Sequence, residues 1–205
     1  MRLKVSPEHP SERHIERAYE AVMDGSLIIY PTDTVYSVGC DVNNKDAIER
    51  LAKLVGKTTN RNLSLIFNDF SQISSYTLPL DRTVFRAMKK SLPGPYTFIL
   101  KASNQVPKVF GEKKREIGIR MPSNLISRAV VNQLGRPLVT ASIHDEDEIL
   151  EYPTDPEVIH ERFKHDVAVV LDGGNGDNQA STVLSCLNGT MELLRTGKGD
   201  PAILE

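Results

Sequence analysis

The chain has 205 residues, with 25 Lys or Arg against 27 Asp or Glu and a formal net charge of −2, a size able to bury about 70% of its unfolded surface without disulfide staples. Its two cysteines, Cys40 and Cys186, lack the spacing of a metal or redox pair and read as reduced, small apolar residues. No run approaches the ~18 apolar residues of a membrane span and the first seven residues lack a secretory apolar stretch, so a cytoplasmic chain with no membrane partner is expected.

Residues 11–24 place Ile15, Ala18, Tyr19, Val22 and Met23 at helical spacing, with Ser11 as N-cap and Gly25 as the stop. Residues 27–30 read as a buried strand ended by Pro31, and 35–39 as a second short strand. Asn44 can cap a helix over 45–54 whose inner stripe is Ala47, Ile48, Leu51, Ala52 and Leu54. A strand at 63–67 precedes a helix at 81–91, with Val84, Phe85 and Met88 turned inward. Further strands are expected at 95–100, 117–120, 138–142, 167–171, 182–184 and 191–194, and further helices at 124–134 and 155–163. Several strands succeed one another across short turns, so strict βαβ alternation fails. The pattern predicts one α/β domain over residues 1–205, built on a twisted, mixed parallel and antiparallel open sheet with flanking helices.

The small net charge conceals a separation of sign. Residues 82–136 hold twelve Lys or Arg and only Glu112 and Glu116, a balance of +10, whereas 145–172 hold ten acids against Arg162 and Lys164, a balance of −8. Either the basic stretch makes a local positive field, or the two pack side by side and cancel.

Strand ends collect hydroxyl groups and arginines. Pro31-Thr32-Asp33-Thr34-Val35-Tyr36 exposes Thr32, Thr34 and the Tyr36 hydroxyl at a sheet margin, where small donors and acceptors can fix an amino acid or a sugar; an ordinary polar turn has the same residues. Pro93-Gly94-Pro95-Tyr96-Thr97 is a stiff turn open to close backbone approach at Gly94, with Thr97 beginning a strand. In Gly118-Ile119-Arg120-Met121-Pro122 an arginine stands at a strand end, suited to carboxylate or phosphate. Residues 137–142, Ala180-Ser181-Thr182-Val183 and Leu194-Arg195-Thr196-Gly197 repeat the theme. Neither a Ser-His-Asp set nor metal-ligand spacing stands out, and Gly56-Lys57-Thr58 lacks the upstream glycine of a phosphate loop. Gly173-Gly174-Asn175-Gly176 reads as a flexible turn, and His144 is the one histidine near the set.

Taken in order, these pieces resemble the YrdC/YciO family over nearly the whole chain from the first helix on. The resemblance implies a twisted open sheet with a concave basic cleft that binds ATP or AMP and double-stranded RNA. In the family's enzymatic branch, L-threonine, bicarbonate and ATP, accompanied by Mg2+, become threonylcarbamoyl-AMP and pyrophosphate, for modification of adenosine 37 in tRNA. By motif position, Thr32 and Arg120 would hold threonine or its carbamate, with Tyr36 and Ser64 on the cleft wall. Lys57, Thr97, Ser142, Ser181 and Arg195 would line the nucleotide side, and Lys57 and Arg120 would act in catalysis. Two departures point toward the YciO-like branch: Val55-Gly56-Lys57 replaces a Lys-x-Arg pair, and Ser142-Ile143-His144 replaces Ser-x-Asn, followed by the acidic run 145–148. The competing readings are a non-catalytic binder of double-stranded RNA or ribosomes and, more remotely, a hydrolase of nucleotides or phosphate esters with a metal on Asp33 or residues 145–148. The chain is expected as monomer or homodimer.

Overall fold

The computed structural model describes residues 1–56, 63–107, 110, 116–143 and 152–204. In chain order the elements are β1 (Arg2–Lys4), α1 (Glu12–Met23), β2 (Ile28–Tyr30), β3 (Ser37–Asp41), α2 (Lys45–Leu54), β4 (Ser64–Ile66), α3 (Phe70–Tyr76), α4 (Arg82–Ser91), β5 (Tyr96–Lys101), β6 (Glu116–Arg120), α5 (Leu125–Leu134), β7 (Leu138–Ser142), α6 (Pro156–Phe163), β8 (Val169–Asp172), β9 (Thr182–Ser185) and β10 (Glu192–Arg195), closed by a 3-10 turn, Pro201–Leu204. Caps act where expected: the Asn44 side chain accepts from the Ala47 amide, and Asn124 accepts from the Ile126 and Ser127 amides. Ser11 stands at the N-cap of α1 without a side-chain bond.

The strands form one sheet in the order β1-β8-β2-β3-β7-β4-β6-β5-β9-β10. Pairs β1/β8, β2/β8, β4/β6 and β5/β9 run parallel. The others, β2/β3, β3/β7, β4/β7, β5/β6 and β9/β10, are antiparallel, so the sheet is mixed as predicted.

Because side chains alternate across a strand, the sheet has two distinct faces. On one, α1 and α5 bury Ile15, Ala18, Val22, Ile126, Val130 and Leu134 against Ile28, Tyr30, Ile66, Leu138, Val169 and Leu171. On the other, Ile48 and Leu51 of α2, Val84 and Met88 of α4, and Ile159 and Phe163 of α6 join Val38, Cys40, Leu65, Phe98, Ile119 and Val139. The first core contains no residue of β5, β6 or β9. Among the described residues the α1/α5 face of those strands carries no apolar helix packing, and Thr97 and Arg120 stand on it.

Three local expectations are corrected. Phe85 is not inward but 44% exposed; it stands edge-on to Phe70, and the Lys89 ammonium lies over both rings. Strand β1 was not anticipated because its Arg-Leu-Lys sequence carries no apolar alternation; β8 recruits it, pairing Arg2 with Val170. Helix α3 buries only Ile73 and so shows no helical stripe, its start being fixed by Asp69 accepting from the Ser71 amide.

Candidate functional site

Strand register assembles the site. Gly39 pairs with Thr140, Thr140 with Ser64, and Ser64 with Gly118, which in turn faces Ile99. Residues two positions away along each strand share that face. Ser37 and Ser142, themselves paired across β3 and β7, therefore flank the row on one side, and Arg120 and Thr97 on the other. The floor is small because it must be: a Cβ on Gly118 would stand 2.4 Å from Ser64 Oγ and 3.3 Å from Thr97 Cγ2. Thr97 and Ser181 share a hydrogen bond of 2.7 Å. Arg195 clamps the same residue, donating to the Ser181 carbonyl from Nε at 3.2 Å and Nη2 at 2.9 Å.

Arg120 is the buried charge of this surface, 4% exposed. Its Nη2 donates to Asp33 Oδ1 at 3.1 Å and to Thr34 Oγ1 at 2.9 Å. The Thr34 hydroxyl meets Thr32 Oγ1 at 3.0 Å, and Thr32 Oγ1 donates to the Val35 carbonyl. A directed chain thus runs from the guanidinium into the turn. Arg120 Nε is buried with no partner among the described residues, as is Ser37 Oγ on the floor. Burial pulls the Arg120 pKa below the ordinary arginine value, opposed by Asp33 and Tyr30 and reinforced by Arg195; an arginine so placed stays cationic. The turn also borders an open polar hollow of about 530 Å3 whose lining includes Asn124, Gly173, Asp177 and Lys198.

This geometry can be set beside known proteins. The Sua5/YciO/YrdC family model, described as telomere recombination, matches residues 20–197. The chain belongs to the Sua5/YciO/YrdC family. Escherichia coli YciO is 36% identical over 198 residues, covering 96% of this chain and 95% of that protein, and its crystal structure superposes with a TM-score of 0.93 over 100% of this chain and 99% of that one, at 34% identity. A threonylcarbamoyl-AMP synthase of Nitrosococcus oceani is 32% identical over 128 residues, 62% of this chain and 69% of the synthase. P. abyssi Sua5 complexed with L-threonine has a TM-score of 0.87 at 26% identity, covering 96% of this chain and 57% of that one.

Within this Sua5/YciO/YrdC fold, Ser64, Thr97, Arg120, Ser142, Ser181 and Arg195 come to one face of the sheet, brought there from six strands and their margins. Thr32 lies beside them, but its hydroxyl donates to Val35 and accepts from the Thr34 amide and hydroxyl, so it shapes the Arg120 turn rather than offering a free group. Tyr36 is not on the cleft wall. Its ring is fully buried in the opposite core, and its hydroxyl donates to the Gly174 carbonyl and accepts from the Gly173 amide. The glycine-rich segment expected to be a flexible turn is thereby pinned, with Gly176 packed on the Tyr36 ring.

Lys57, His144 and the run 145–148 lie outside the described residues. Val55, the first of the departures, ends α2 and lines a small cavity with Leu54, Ile143 and Phe163. Asp33 does not suit the metal-holding role of the hydrolase reading, because Oδ1 serves Arg120 and Oδ2 serves the Ser123 amide and hydroxyl. No group of three His, Cys, Asp or Glu that could hold a metal occurs among the described residues. Burial pushes the Cys40 thiol well up and Cys186 up to about 11, as expected of packing residues.

Among the described residues the two charged stretches do not neutralise each other by ion pairs. Arg120 and Arg136 pair with Asp33 and Asp41, acids outside both stretches, while Glu157 and Asp172 of the acidic stretch face Arg2. No ion pair among the described residues joins the two stretches. Sequence reasoning missed Ser37 and Thr140 on the floor and Asp33 as partner of Arg120. The two-residue spacing of Ser37 with Gly39 and of Thr140 with Ser142 was the available signal. The Asp33–Arg120 contact spans 87 positions and left none. Among the described residues, no helix is long and apolar enough to cross a membrane.

Proposed function

We propose that this chain binds L-threonine and ATP on the polar floor and carries out a threonylcarbamoyl-AMP synthase-type reaction. The observation that carries the reading is the buried Arg120 guanidinium at the edge of the floor, with its Nε unpartnered among the described residues. An unmet N–H on a buried charged group costs about 1–3 kcal/mol, which a ligand oxygen recovers. A relative in the family, P. abyssi Sua5, has been solved with L-threonine, and the synthases among the relatives point to the same substrate class.

In this reading the threonine amine takes up bicarbonate with loss of water to give a carbamate. A carbamate oxygen then attacks the α-phosphorus of ATP, forming the new P–O bond as the bond to pyrophosphate breaks. Arg120 receives the carboxylate or carbamate. Thr97, Ser181 and Arg195 supply donors on the nucleotide side, and Ser64 and Ser142 supply hydroxyls along the floor. The protein's work is to orient reactants and stabilise developing charge. Val55 supplies no cation where a synthase has one, so turnover is expected to be about 10- to 100-fold slower than with a full pair of cations.

The test is pyrophosphate release from MgATP with L-threonine and bicarbonate. Release that depends on threonine and vanishes in Arg120→Ala supports the reading. Absence of release together with no calorimetric binding of L-threonine overturns it.

A further inference from the structure

We propose that Asp33 is a positioning residue that, by saturating Nη2, makes the Arg120 guanidinium offer single N–H groups rather than a two-point grip to the anionic group of the amino-acid substrate. The inference rests on the reading of Arg120 as the anion anchor given above. Nη2 has two N–H groups, and both are engaged, one by Asp33 Oδ1 at 3.1 Å and one by Thr34 Oγ1 at 2.9 Å. Arginine usually grips a carboxylate at two points, through Nη2 together with either Nε or Nη1. With Nη2 saturated, both two-point grips are closed unless Asp33 or Thr34 is displaced. That leaves the N–H groups of Nε and Nη1, neither bonded to a described residue, to receive oxygens one at a time.

Asp33 is itself rigidly held. Its Oδ2 accepts from the Ser123 amide at 3.0 Å and the Ser123 hydroxyl at 3.3 Å, and its carbonyl accepts from Lys198 Nζ at 2.8 Å. Lys198 is anchored in turn by Asp177 at 2.7 Å. Asp33 therefore ties the β2–β3 turn, the end of β6 and the segment after β10 to one guanidinium. Its charge also compensates a buried cation, so recognition depends on where the N–H points rather than on a surplus of positive charge. Asparagine at this position has a single acceptor oxygen. It satisfies either Arg120 or the Ser123 amide, and faces the other with a donor.

The experiment is calorimetric titration of the full chain with L-threonine, alongside steady-state pyrophosphate release and the Arg120 Nε–H resonance in 15N NMR. Asp33→Asn should weaken threonine binding about 10- to 100-fold, raise KM for threonine more than it lowers kcat, and abolish the shift of the Nε–H resonance on adding threonine. Asp33→Glu should restore part of the affinity, a rescue that a purely structural role would not give. Should Asp33→Asn not fold, Ser123→Ala removes one tether of the carboxylate and should weaken threonine about 2- to 5-fold. Affinity in Asp33→Asn, or in Ser123→Ala, equal to or tighter than that of the unmodified chain overturns the proposal. Failure of the underlying reading is separate: Arg120→Ala would then bind threonine as well as the unmodified chain.

Discussion

Gly118 shows how a single position decides whether the floor exists. Ser64 Oγ and Thr97 Cγ2 occupy the space a methyl would need, so Gly118→Ala must push Ser64 aside. We expect a loss of about 1–3 kcal/mol in urea denaturation from overpacking, accompanied by weaker L-threonine binding. Unchanged stability and affinity would mean that the row is looser than this geometry requires. Tyr36 supplies the opposite control. Removing its hydroxyl leaves the Gly173 amide and Gly174 carbonyl unmet, so Tyr36→Phe should cost about 1–3 kcal/mol of stability. Threonine affinity should stay unchanged, because the ring belongs to the core behind the sheet; a loss of affinity at unchanged stability would return Tyr36 to the cleft wall.

Between elements, the Asp41–Arg136 pair fastens the end of β3 to the turn that leads into β7. Arg136 Nε and Nη2 reach the two carboxylate oxygens at 2.8 and 2.7 Å. Burial by itself would raise the Asp41 carboxyl; the hydrogen bonds from Arg136 and from the Asn43 amide outweigh it and hold the group below its ordinary value. A carboxyl lowered by folding contributes stability that is complete above its unfolded value, about 3.9, and lost as pH falls through the folded one. Asp41→Asn should therefore cost about 1–3 kcal/mol at pH ~7, and the gap to the unmodified chain should close only as pH falls through the lowered folded value. A gap independent of pH would show that the carboxylate charge contributes nothing. Just beyond the end of β3, Asn44 caps α2 through the Ala47 amide at 2.9 Å, and Asn44→Ala should lower stability by about 1 kcal/mol.

For the whole molecule, ligand binding and folding are linked. A ligand that binds only the folded chain stabilises it by RT ln(1 + [L]/Kd), about 2.7 kcal/mol at a hundredfold excess over Kd. For a chain of this size that corresponds to a rise in Tm of roughly 5–10 °C. L-threonine with MgATP should produce such a rise in a thermal melt, and Arg120→Ala should lose it. If the melting temperature does not move at saturating ligand, the floor is not the binding surface for that pair. The site draws on β3, β7, β4, β6, β5 and β9, distant in sequence and adjacent in the sheet, so its loss on unfolding should be complete.

Local rules carried far along this chain and then stopped. Periodicity, glycine stops and capping residues were enough to place α1, α2, α4, α5, α6 and nine of the strands, because helix and strand patterns are written in neighbouring side chains. The order of strand-end motifs was enough to point to the family, and it named Arg120, Thr97, Ser142, Ser181 and Arg195 among the residues that reach one face. Strand β1 and helix α3 were invisible, since neighbours in space rather than their own composition stabilise them. The outward turn of Phe85 toward Phe70 and Lys89 likewise depends on a second helix. Above all, register alone decided which hydroxyls share the floor, and it sent Tyr36 to the other side of the sheet. Asp33 became the partner of Arg120 because a turn after β2 meets the end of β6. Such contacts join residues scores of positions apart, and chain neighbours carry no trace of them.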